Sequence, residues 1–198
     1  MPAGLAHGPV VAIDTEATGL SLTRDRLCLV QMSDGGGACH LVQMPQDLAE
    51  GGDAAPNLRA LLADPEVTKL FHYARFDLTI LERFVGPVAP PIYCTKIASR
   101  LVRTYTERHG LKDLCGELLG IELAKEMQSS DWAAAELSAA QLDYAAQDVL
   151  YLHRLRDRLD IMLAREGRAG LAKACFDFLP VRVALDRGGW PDSDIFAH

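Results

Sequence analysis

The sequence predicts an α/β fold, a mixed central β-sheet flanked by α-helices. Three observations support this: short apolar runs of β-favouring residues come first, strand and helix patterns alternate in the middle, and helical patterns fill the remainder. The chain has 198 residues, of which 49% are hydrophobic, which is enough for the core of one domain. We therefore expect one domain over 1–198, with its core at 10–165 and a C-terminal helix and tail at 166–198.

Three sequential strands are predicted first. The segments 10–13, 27–32 and 39–44 are rich in β-favouring residues and are separated by clusters of Gly, Ser and Asp. The sequence DGGGA at 34–38 supplies a turn between the second and third. Antiparallel pairing is therefore expected.

The middle of the chain alternates between helix and strand. Leucines recur with helical spacing after Pro56, and 67–71 forms a fourth predicted strand. An amphipathic helix follows from Phe76 and is closed by Gly86-Pro87, and 90–93 is a short strand. From 95 to about 174 we expect helices, including one long helix over 138–165 that is rich in Ala, Leu, Gln and Arg.

Composition excludes several classes of protein. The net charge is −7 and the pI about 5.3, unlike proteins that hold long nucleic acids through a broad basic face. Five cysteines form no CxxC pair, which favours reduced thiols over disulfides or a zinc site. No apolar run reaches the ~18 residues of a membrane span, and the N-terminus lacks a signal-peptide pattern. We expect a cytoplasmic protein without membrane contact.

Two carboxylates lie at the end of the first predicted strand, in VAIDTEATGL at 11–20. Asp14 and Glu16 are two residues apart, so they share one face if the strand continues to Glu16. That geometry suits a metal ion. The alternative is a turn that begins at Asp14 and leaves Glu16 solvated, and this stretch alone favours neither.

Two later segments also carry acids. YARFD at 73–77 places Asp77 near the start of a helix, where an acid also commonly complements the helix dipole. YAAQD at 144–148 sets Tyr144 and Asp148 one turn apart on the same helix face. Each signal is weak alone, and the combination of all three is much more specific.

Together these segments resemble the DEDDy branch of the DnaQ-like, ribonuclease H-like 3'-5' exonucleases. Other parts of the chain are similar to the ribonuclease D subgroup, in order over residues 10–165: RLCLVQMSDG, KLFHYARFDLTIL, CTKIASRL, HGLKDLCGELLG and QSSDWAAAELSAAQLDYAAQDVLYLHRL. The short chain and its ending, KACFDFLPVRVALDRGGWPDSDIFAH, are most similar to the nanoRNase C group, small oligoribonucleases that clear RNA dinucleotides. The ATGL after DTE departs from ribonuclease D and is closer to proofreading and oligoribonuclease relatives.

The resemblance implies a ribonuclease H-like exonuclease fold with a two-metal site. Asp14, Glu16, Asp77 and Asp148 would hold two divalent cations, Mg²⁺ or Mn²⁺, which prefer hard oxygen ligands. Tyr144 would orient the attacking water, since a phenol with a pKa of ~10 stays protonated at neutral pH. Without metal, four carboxylates repel an anionic substrate, so we expect metal to be required for binding as well as for turnover.

Substrate contacts are less well defined. The resemblance implies that Leu20 lies beside the terminal base, and Thr15 and His72 are further candidates; core packing is the alternative for Leu20 and His72. Candidates for the phosphate farther from the cut form a basic and a polar group: Arg100, Arg103, Arg108 and Lys112, and Ser129, Ser130, Asp131 and Trp132. A solvated charged face and a helix cap are the alternatives for these two groups.

The implied substrate is short single-stranded RNA, above all 5'-phosphorylated dinucleotides, with short DNA left open. The resemblance also implies a closed homo-oligomer, an octameric ring among the possible forms, and the apolar tail from Cys175 either packs on its own domain or forms a subunit interface. Rival functions are ribonuclease D-like processing of longer RNA, DNA 3'-5' exonuclease activity, and a catalytically silent nucleic-acid-binding module. A phosphatase loop of the DxDxT type is disfavoured by Glu16 and the separate YxxxD.

Overall fold

The computed structural model describes residues 8–21, 24–124 and 130–198. Its centre is a five-stranded sheet in the order β3-β2-β1-β4-β5. The strands are β1 Val10–Ala17, β2 Leu27–Ser33, β3 His40–Gln43, β4 Thr68–Phe71 and β5 Ile92–Cys94. The first three pair antiparallel, whereas β1 with β4 and β4 with β5 pair parallel. The predicted mixed sheet and its antiparallel N-terminal strands are confirmed.

Helices cover the sheet. Those of the described residues are α1 Pro56–Ala63, α2 Ala74–Phe84, α3 Thr95–Val102, α4 Leu111–Leu114, α5 Ala139–Leu150, α6 Leu152–Arg165 and α7 Ala169–Arg187. A π-helical turn, Cys115–Leu119, continues directly from α4. None of these helices is both long enough and apolar enough to cross a membrane.

The core lies between the sheet and its helices. Both α2 and α5 pack against β2, and every residue of β2 is buried. Helix α7 packs on α2 and β5 and adds Phe176, Leu179 and Val183 to the same buried cluster. The Asp186 carboxylate near the end of α7 is buried and accepts two hydrogen bonds from Arg75 of α2, at 2.6 and 2.8 Å. The C-terminal helix is therefore part of the core that supports α2.

The apolar residues of the predicted tail divide into two sets. Phe176, Leu179 and Val183 pack inward, while a second set is exposed: Phe178, Val181, Trp190, Ile195 and Phe196. The packing alternative for the tail thus holds for the first set, and the second remains available for contacts with other molecules.

Two helical predictions are wrong. The long helix expected over 138–165 breaks at Tyr151 into α5 and α6. Helix α5 packs on β1, β2 and β3, while α6 packs mainly on α3, and one straight helix would not reach both sets of partners. The segment 103–110 and the described parts of 120–138 are irregular rather than helical.

The strand lengths leave one end of β1 open on the β4 side. The β1–β4 pairing covers only Val10–Ala12, whereas β1 continues to Ala17 and pairs there with β2 alone. Helix α2 begins three residues after β4 ends. Its first turn therefore lies close to the second half of β1. The pairing of β1 with β2 then changes register between Glu16 and Ala17, so the regular strand ends directly after Glu16.

Candidate active site

Three acids converge at the open end of β1. Asp14 and Glu16 of β1 and Asp148 of α5 each offer a carboxylate oxygen, and these oxygens all lie within 4.8 Å of one another. The strand interpretation of VAIDTE is therefore correct and the turn interpretation is wrong, because β1 runs past both acids. The i, i+2 spacing brings the first two together, and the packing of α5 on β1 adds the third.

Asp77 is the fourth acid, in the first turn of α2. It is 3% exposed, and its Oδ1 accepts a hydrogen bond of 2.6 Å from the Thr15 hydroxyl. Asp77 lies outside the group of three whose oxygens share the 4.8 Å limit, but its charge raises the pKa values of Asp14 and Glu16. All four predicted acids therefore belong to one electrostatic cluster.

Full ionisation of the four carboxylates is energetically unfavourable in the absence of cations. Burial raises the pKa of Glu16 to about 9, with further contributions from the charges of Asp148 and Asp77. Burial likewise raises the pKa of Asp77 to about 8 and that of Asp148 to about 7, and it raises the pKa of Asp14 well above its usual range. Buried carboxylates at such distances are ionised together only when cations neutralise them. This donor set, made of hard carboxylate oxygens, fits Mg²⁺ or Mn²⁺.

Gln31 is a member of the site that the sequence analysis missed. It lies opposite Asp14 on β2, it is fully buried, and its Nε2 donates to Asp14 Oδ2 at 3.2 Å. Its Oε1 is buried and has no hydrogen-bond partner among the described residues. A signal was present, because a glutamine inside the buried strand LCLVQMS needs a polar partner.

Tyr144 lies one turn from Asp148 on α5, as predicted. Burial, reinforced by the charges of Asp148, Glu16 and Asp14, raises the pKa of its phenol, so the hydroxyl keeps its proton at neutral pH. The Trp132 ring lies 6.1 Å from the Tyr144 ring, is 4% exposed and packs with Cys28 and Leu29. The structure therefore places Trp132 behind Tyr144, inside the protein, rather than at a surface for substrate.

Leu20 is exposed on a loop whose ends, Thr18 and Arg26, are hydrogen-bonded to each other. Its exposed fraction is 86%, so the core-packing alternative for this residue is wrong. Thr18 and Arg26 close the loop with two hydrogen bonds, from Thr18 N to Arg26 O at 3.0 Å and from Arg26 N to Thr18 Oγ1 at 2.9 Å. Gly19 is required because a Cβ there would lie 2.5 Å from Asp25 Oδ2. The loop thus holds an apolar side chain outside the core, just after the acids.

His72 makes an internal contact. The Thr95 hydroxyl donates to the Phe71 carbonyl at 3.2 Å, so its oxygen accepts from His72 Nδ1, 2.8 Å away. Burial, with the nearby positive charge of Lys96, lowers the pKa of His72 to about 3, and the ring is neutral at physiological pH. These contacts agree with the alternative of a packed structural histidine.

The predicted basic residues do not form one surface, because Arg103 is buried and Arg108 is exposed. Arg103 is fully buried and bonds Glu117 Oε2 at 2.5 Å, Ser99 Oγ at 3.1 Å and the Arg108 carbonyl at 2.6 Å. Its donors face the protein interior, and a phosphate-binding role for Arg103 is not supported. The exposed Arg108 pairs with Asp113.

The predicted polar group is likewise divided. Ser130 Oγ accepts from Gln141 Nε2 at 3.2 Å, and Ser129 lies outside the described residues. The N-cap of α5 is Ser138, which forms a capping box with Gln141. A helix cap at Ser129–Asp131, which the sequence left open, is therefore not the start of α5.

Comparisons with known proteins agree with this geometry. The profile of a family described as 3'-5' exonuclease matches residues 3–164. Ribonuclease D of Acidiphilium cryptum is 38% identical over 164 residues, 83% of this chain and 40% of that protein. DNA polymerase I of Aquifex aeolicus is 38% identical over 167 residues, 82% of this chain and 26% of that protein. The chain thus spans less than half the length of these curated relatives.

A solved structure matches over most of both chains. NrnC of Brucella melitensis superposes with a TM-score of 0.90 at 55% identity, over 96% of this chain and 91% of that one. The same Brucella protein has been solved with bound Mg²⁺, at a TM-score of 0.89 and 54% identity. It has also been solved bound to pGG, at a TM-score of 0.90 and 55% identity.

Proposed function

Because this chain belongs to the 3'-5' exonuclease family, we propose that it hydrolyses short RNA, especially dinucleotides, from the 3' end to nucleoside 5'-monophosphates with the aid of two divalent cations. The observation that carries this proposal is the cluster of Asp14, Glu16 and Asp148, whose carboxylate oxygens lie within 4.8 Å. The buried Asp77 adds a fourth negative charge. Four acids in one buried cluster support cation binding, because cations allow such carboxylates to be ionised together.

The acids would hold Mg²⁺ or Mn²⁺, and the Brucella relative solved with Mg²⁺ supports this assignment. The chemistry that such ions supply when bound is activation of water and neutralisation of charge on the leaving 3'-oxygen. This chain contributes the orientation of the ligands. Thr15 holds Asp77 and Gln31 holds Asp14, so that the carboxylates are fixed before the ions arrive.

Two further residues would act on the substrate. Tyr144, protonated beside Asp148, would orient the attacking water by a hydrogen bond from its hydroxyl. The exposed Leu20 would pack against the terminal base, because an apolar side chain on a loop with hydrogen-bonded ends offers a surface for a flat ring. Any contact of the His72 ring nitrogens with substrate would use Nε2, because Nδ1 is hydrogen-bonded to Thr95.

The preference for dinucleotides rests on the similarity to the Brucella protein that was solved with pGG. Its test is a time course with 5'-phosphorylated RNAs of two to seven nucleotides and a matched DNA series, with Asp148→Asn as the inactive control. Rapid hydrolysis of the dinucleotide and slow hydrolysis of longer RNAs would support the proposal. Equal rates at all lengths would refute the dinucleotide preference and leave the exonuclease activity standing.

The similarity to a DNA polymerase I favours DNA 3'-5' exonuclease activity as the second candidate function. The same time course separates the two candidates, because a DNA enzyme would degrade the DNA series at least as fast as the RNA series. Ribonuclease D-like processing predicts the opposite length dependence, with longer RNAs as good substrates. No turnover of any series with Mg²⁺ or Mn²⁺ would indicate a silent binding module.

Metal is also expected to be required for substrate binding. Without cations the cluster offers a phosphodiester no positive charge and repels it through those carboxylates that are ionised, whereas bound cations attract it. Affinity for a dinucleotide should therefore be lost in EDTA, which fluorescence anisotropy of a labelled pGG would measure. Unchanged affinity in EDTA would refute this part of the proposal.

We propose a homo-oligomer as the functional form. The support is the set of exposed apolar residues near the C-terminus, including Val181, Trp190 and Ile195, because such surfaces are commonly covered by other subunits. Removing the whole tail is a poor test, since α7 is part of the core. Light scattering on Val181→Asn and Ile195→Asn variants is sharper, and an unchanged assembly would exclude these residues from the interface.

A further inference from the structure

A second cavity lies away from the carboxylates. It has a volume of about 790 Å³ and lies between the starts of α2 and α3 and one side of α7. None of the four acids of the candidate active site lines it. Its volume is in the range of sites for small organic ligands, roughly 300 to 1,000 Å³. The cavity therefore has room for a ligand of its own.

The cavity is positively charged in a protein whose net charge is −7. Lys96 and Arg100 lie one turn apart on α3 and both line it. The structure shows no ion pair between either of them and a carboxylate of the described residues. The two cations repel each other, since the charge of Arg100 lowers the pKa of Lys96 further below the value set by burial. An anion between them would relieve this repulsion.

The opposite wall does not neutralise the charges of Lys96 and Arg100, because its acids are matched by its own arginines. Arg75 and Arg182 also line the cavity and share the single carboxylate of Asp186, with nitrogen–oxygen distances of 2.6 and 2.5 Å. Asp192 lies near enough to affect Arg75. Two guanidinium groups thus face two acids on this wall, and Lys96 and Arg100 keep their excess positive charge.

Aromatic rings complete the lining. The Tyr73 ring, 46% exposed, lies under Lys96 with the ammonium 4.0 Å from the ring centroid. On the α7 side, the Phe178 and Phe196 rings form a pair with centroids 6.3 Å apart, and both are exposed. Exposed rings beside cations that have no carboxylate partner among the described residues are suited to a ligand that has a flat base at one end and a phosphate at the other.

We propose that this cavity binds a free nucleoside 5'-monophosphate, with its phosphate between Lys96 and Arg100 and its base against the exposed aromatic rings. This binding does not depend on the proposed hydrolysis, although the ligand is of the class that hydrolysis would release. Tyr73 immediately precedes α2, whose first turn carries Asp77. A bound nucleotide would therefore contact the residue from which the helix of the fourth acid starts.

The test is calorimetric titration of AMP into the full chain in EDTA, where the acid cluster holds no metal ion that could bind phosphate. We expect saturable binding of one AMP per chain. Adenosine and inorganic phosphate, which each lack half of the ligand, should bind at least about 10-fold more weakly. Lys96→Gln/Arg100→Gln should weaken AMP binding by about 20-fold or more, because the charge-assisted contacts to phosphate are lost.

Two controls separate this site from general electrostatics and from the acid cluster. Arg154→Gln/Arg158→Gln removes the same charge from two exposed positions on α6 that do not line the cavity, and Asp148→Asn changes the cluster. Both should leave AMP affinity within about twofold of the wild type, as expected for distant independent sites. The proposal is overturned by absent saturable AMP binding, by phosphate binding as tightly as AMP, or by unchanged affinity in the Lys96/Arg100 variant. RNA hydrolysis with metal is measured separately, so failure of one proposal does not imply failure of the other.

Discussion

Thr15 and Asp77 are joined by a hydrogen bond of 2.6 Å between the threonine hydroxyl and the carboxylate Oδ1. Thr15 lies between Asp14 and Glu16 on β1, and Asp77 lies in the first turn of α2. Three consecutive residues of one strand therefore contribute to the acid cluster, two as acids and one as the donor that holds a fourth acid. The separation of 62 positions in sequence explains why this contact was not visible in the pattern VAIDTE.

Thr15→Val should weaken Mg²⁺ binding and turnover. Valine has the shape of threonine without the hydroxyl, so Asp77 loses this side-chain donor and keeps its backbone donors, while the packing of β1 is kept. Loss of a residue that orients a metal ligand typically costs about 10-fold or more in affinity. Calorimetric titration of Mn²⁺ measures the effect directly, and Thr15→Ser is the matched control that should restore binding. Equal affinities for the valine and serine variants would contradict the assigned role.

Gln31→Met should reduce metal affinity through Asp14. Methionine fills a similar volume in β2 but removes the Nε2 donor that now contacts Asp14 Oδ2 at 3.2 Å. We expect affinity for Mn²⁺ to fall by about 10-fold or more. The free energy of unfolding in EDTA should fall by less than for a truncation to alanine, because no cavity is created. A loss of stability with unchanged Mn²⁺ affinity would show that Gln31 is only a packing residue.

Tyr144→Phe should lower kcat and leave KM nearly unchanged. The phenol is expected to act on the attacking water rather than on the bound RNA, so its removal affects the transition state more than the ground state. A loss of about 100-fold in kcat is typical of such proton-linked groups. Kinetics with pGG give both constants, and the ring contact with Trp132 is retained in the variant. A rise in KM with unchanged kcat would instead place Tyr144 in substrate binding.

The metal-free protein should lose stability as pH rises. Glu16, Asp77 and Asp148 have pKa values of about 9, 8 and 7 in the folded protein, against ~4 in the unfolded chain. Between these values the folded state binds more protons, so the free energy of unfolding falls with increasing pH. Tm measured by circular dichroism in EDTA should therefore decrease from about pH 5 to about pH 9, the range that these pKa values define.

Mg²⁺ should offset this loss most strongly at the upper end of the range, because it binds the ionised carboxylates. The control variant is Asp148→Asn, which removes one of the titrating groups and should flatten the dependence of Tm on pH in EDTA. A Tm that rises with pH throughout the range in EDTA would contradict the pKa assignments.

Arg103→Ala should destabilise the protein without a direct effect on substrate. The Arg103 guanidinium is fully buried, whereas its partner Glu117 has a side chain that is 44% exposed. Removing the arginine leaves Glu117 partly solvated, so we expect a loss of about 2 to 3 kcal/mol, near the lower end for a broken buried pair. The exposed Arg108 is the matched control, and Arg108→Ala should change stability by less than about 1 kcal/mol. Urea unfolding measures both, and a stable Arg103→Ala variant with weakened dinucleotide binding would restore the phosphate-binding hypothesis.

The sequence predicted those features that depend on local periodicity. The alternation of β1 placed Asp14 and Glu16 on one face, and the helical spacing of YAAQD placed Tyr144 near Asp148; both are confirmed. The family resemblance assembled these separate segments into one site. The order of strands and helices followed from the same patterns, with correct element types in most of the chain.

Contacts between distant segments were not predictable in this way. The run of arginines around Arg103 suggested a solvated or phosphate-binding face, but Arg103 is buried and paired with Glu117. This partner lies 14 residues later, beyond the range of the local pattern. The break at Tyr151 involves neither glycine nor proline, so local breaker signals were absent. Trp132 was assigned to substrate, yet the packing of α5 on β2 places it behind Tyr144.

The end of β1 separates the acids from Leu20, the proposed contact for the terminal base. The change of register after Glu16 and the hydrogen bonds between Thr18 and Arg26 isolate the segment that presents Leu20 from the strand that presents the acids. Loops that begin and end at such fixed points tolerate changes in length and sequence. We therefore expect that the Leu20 segment can be exchanged for that of another exonuclease while the acid cluster is kept, so that the proposed role of Leu20 makes this loop a position for engineering substrate preference.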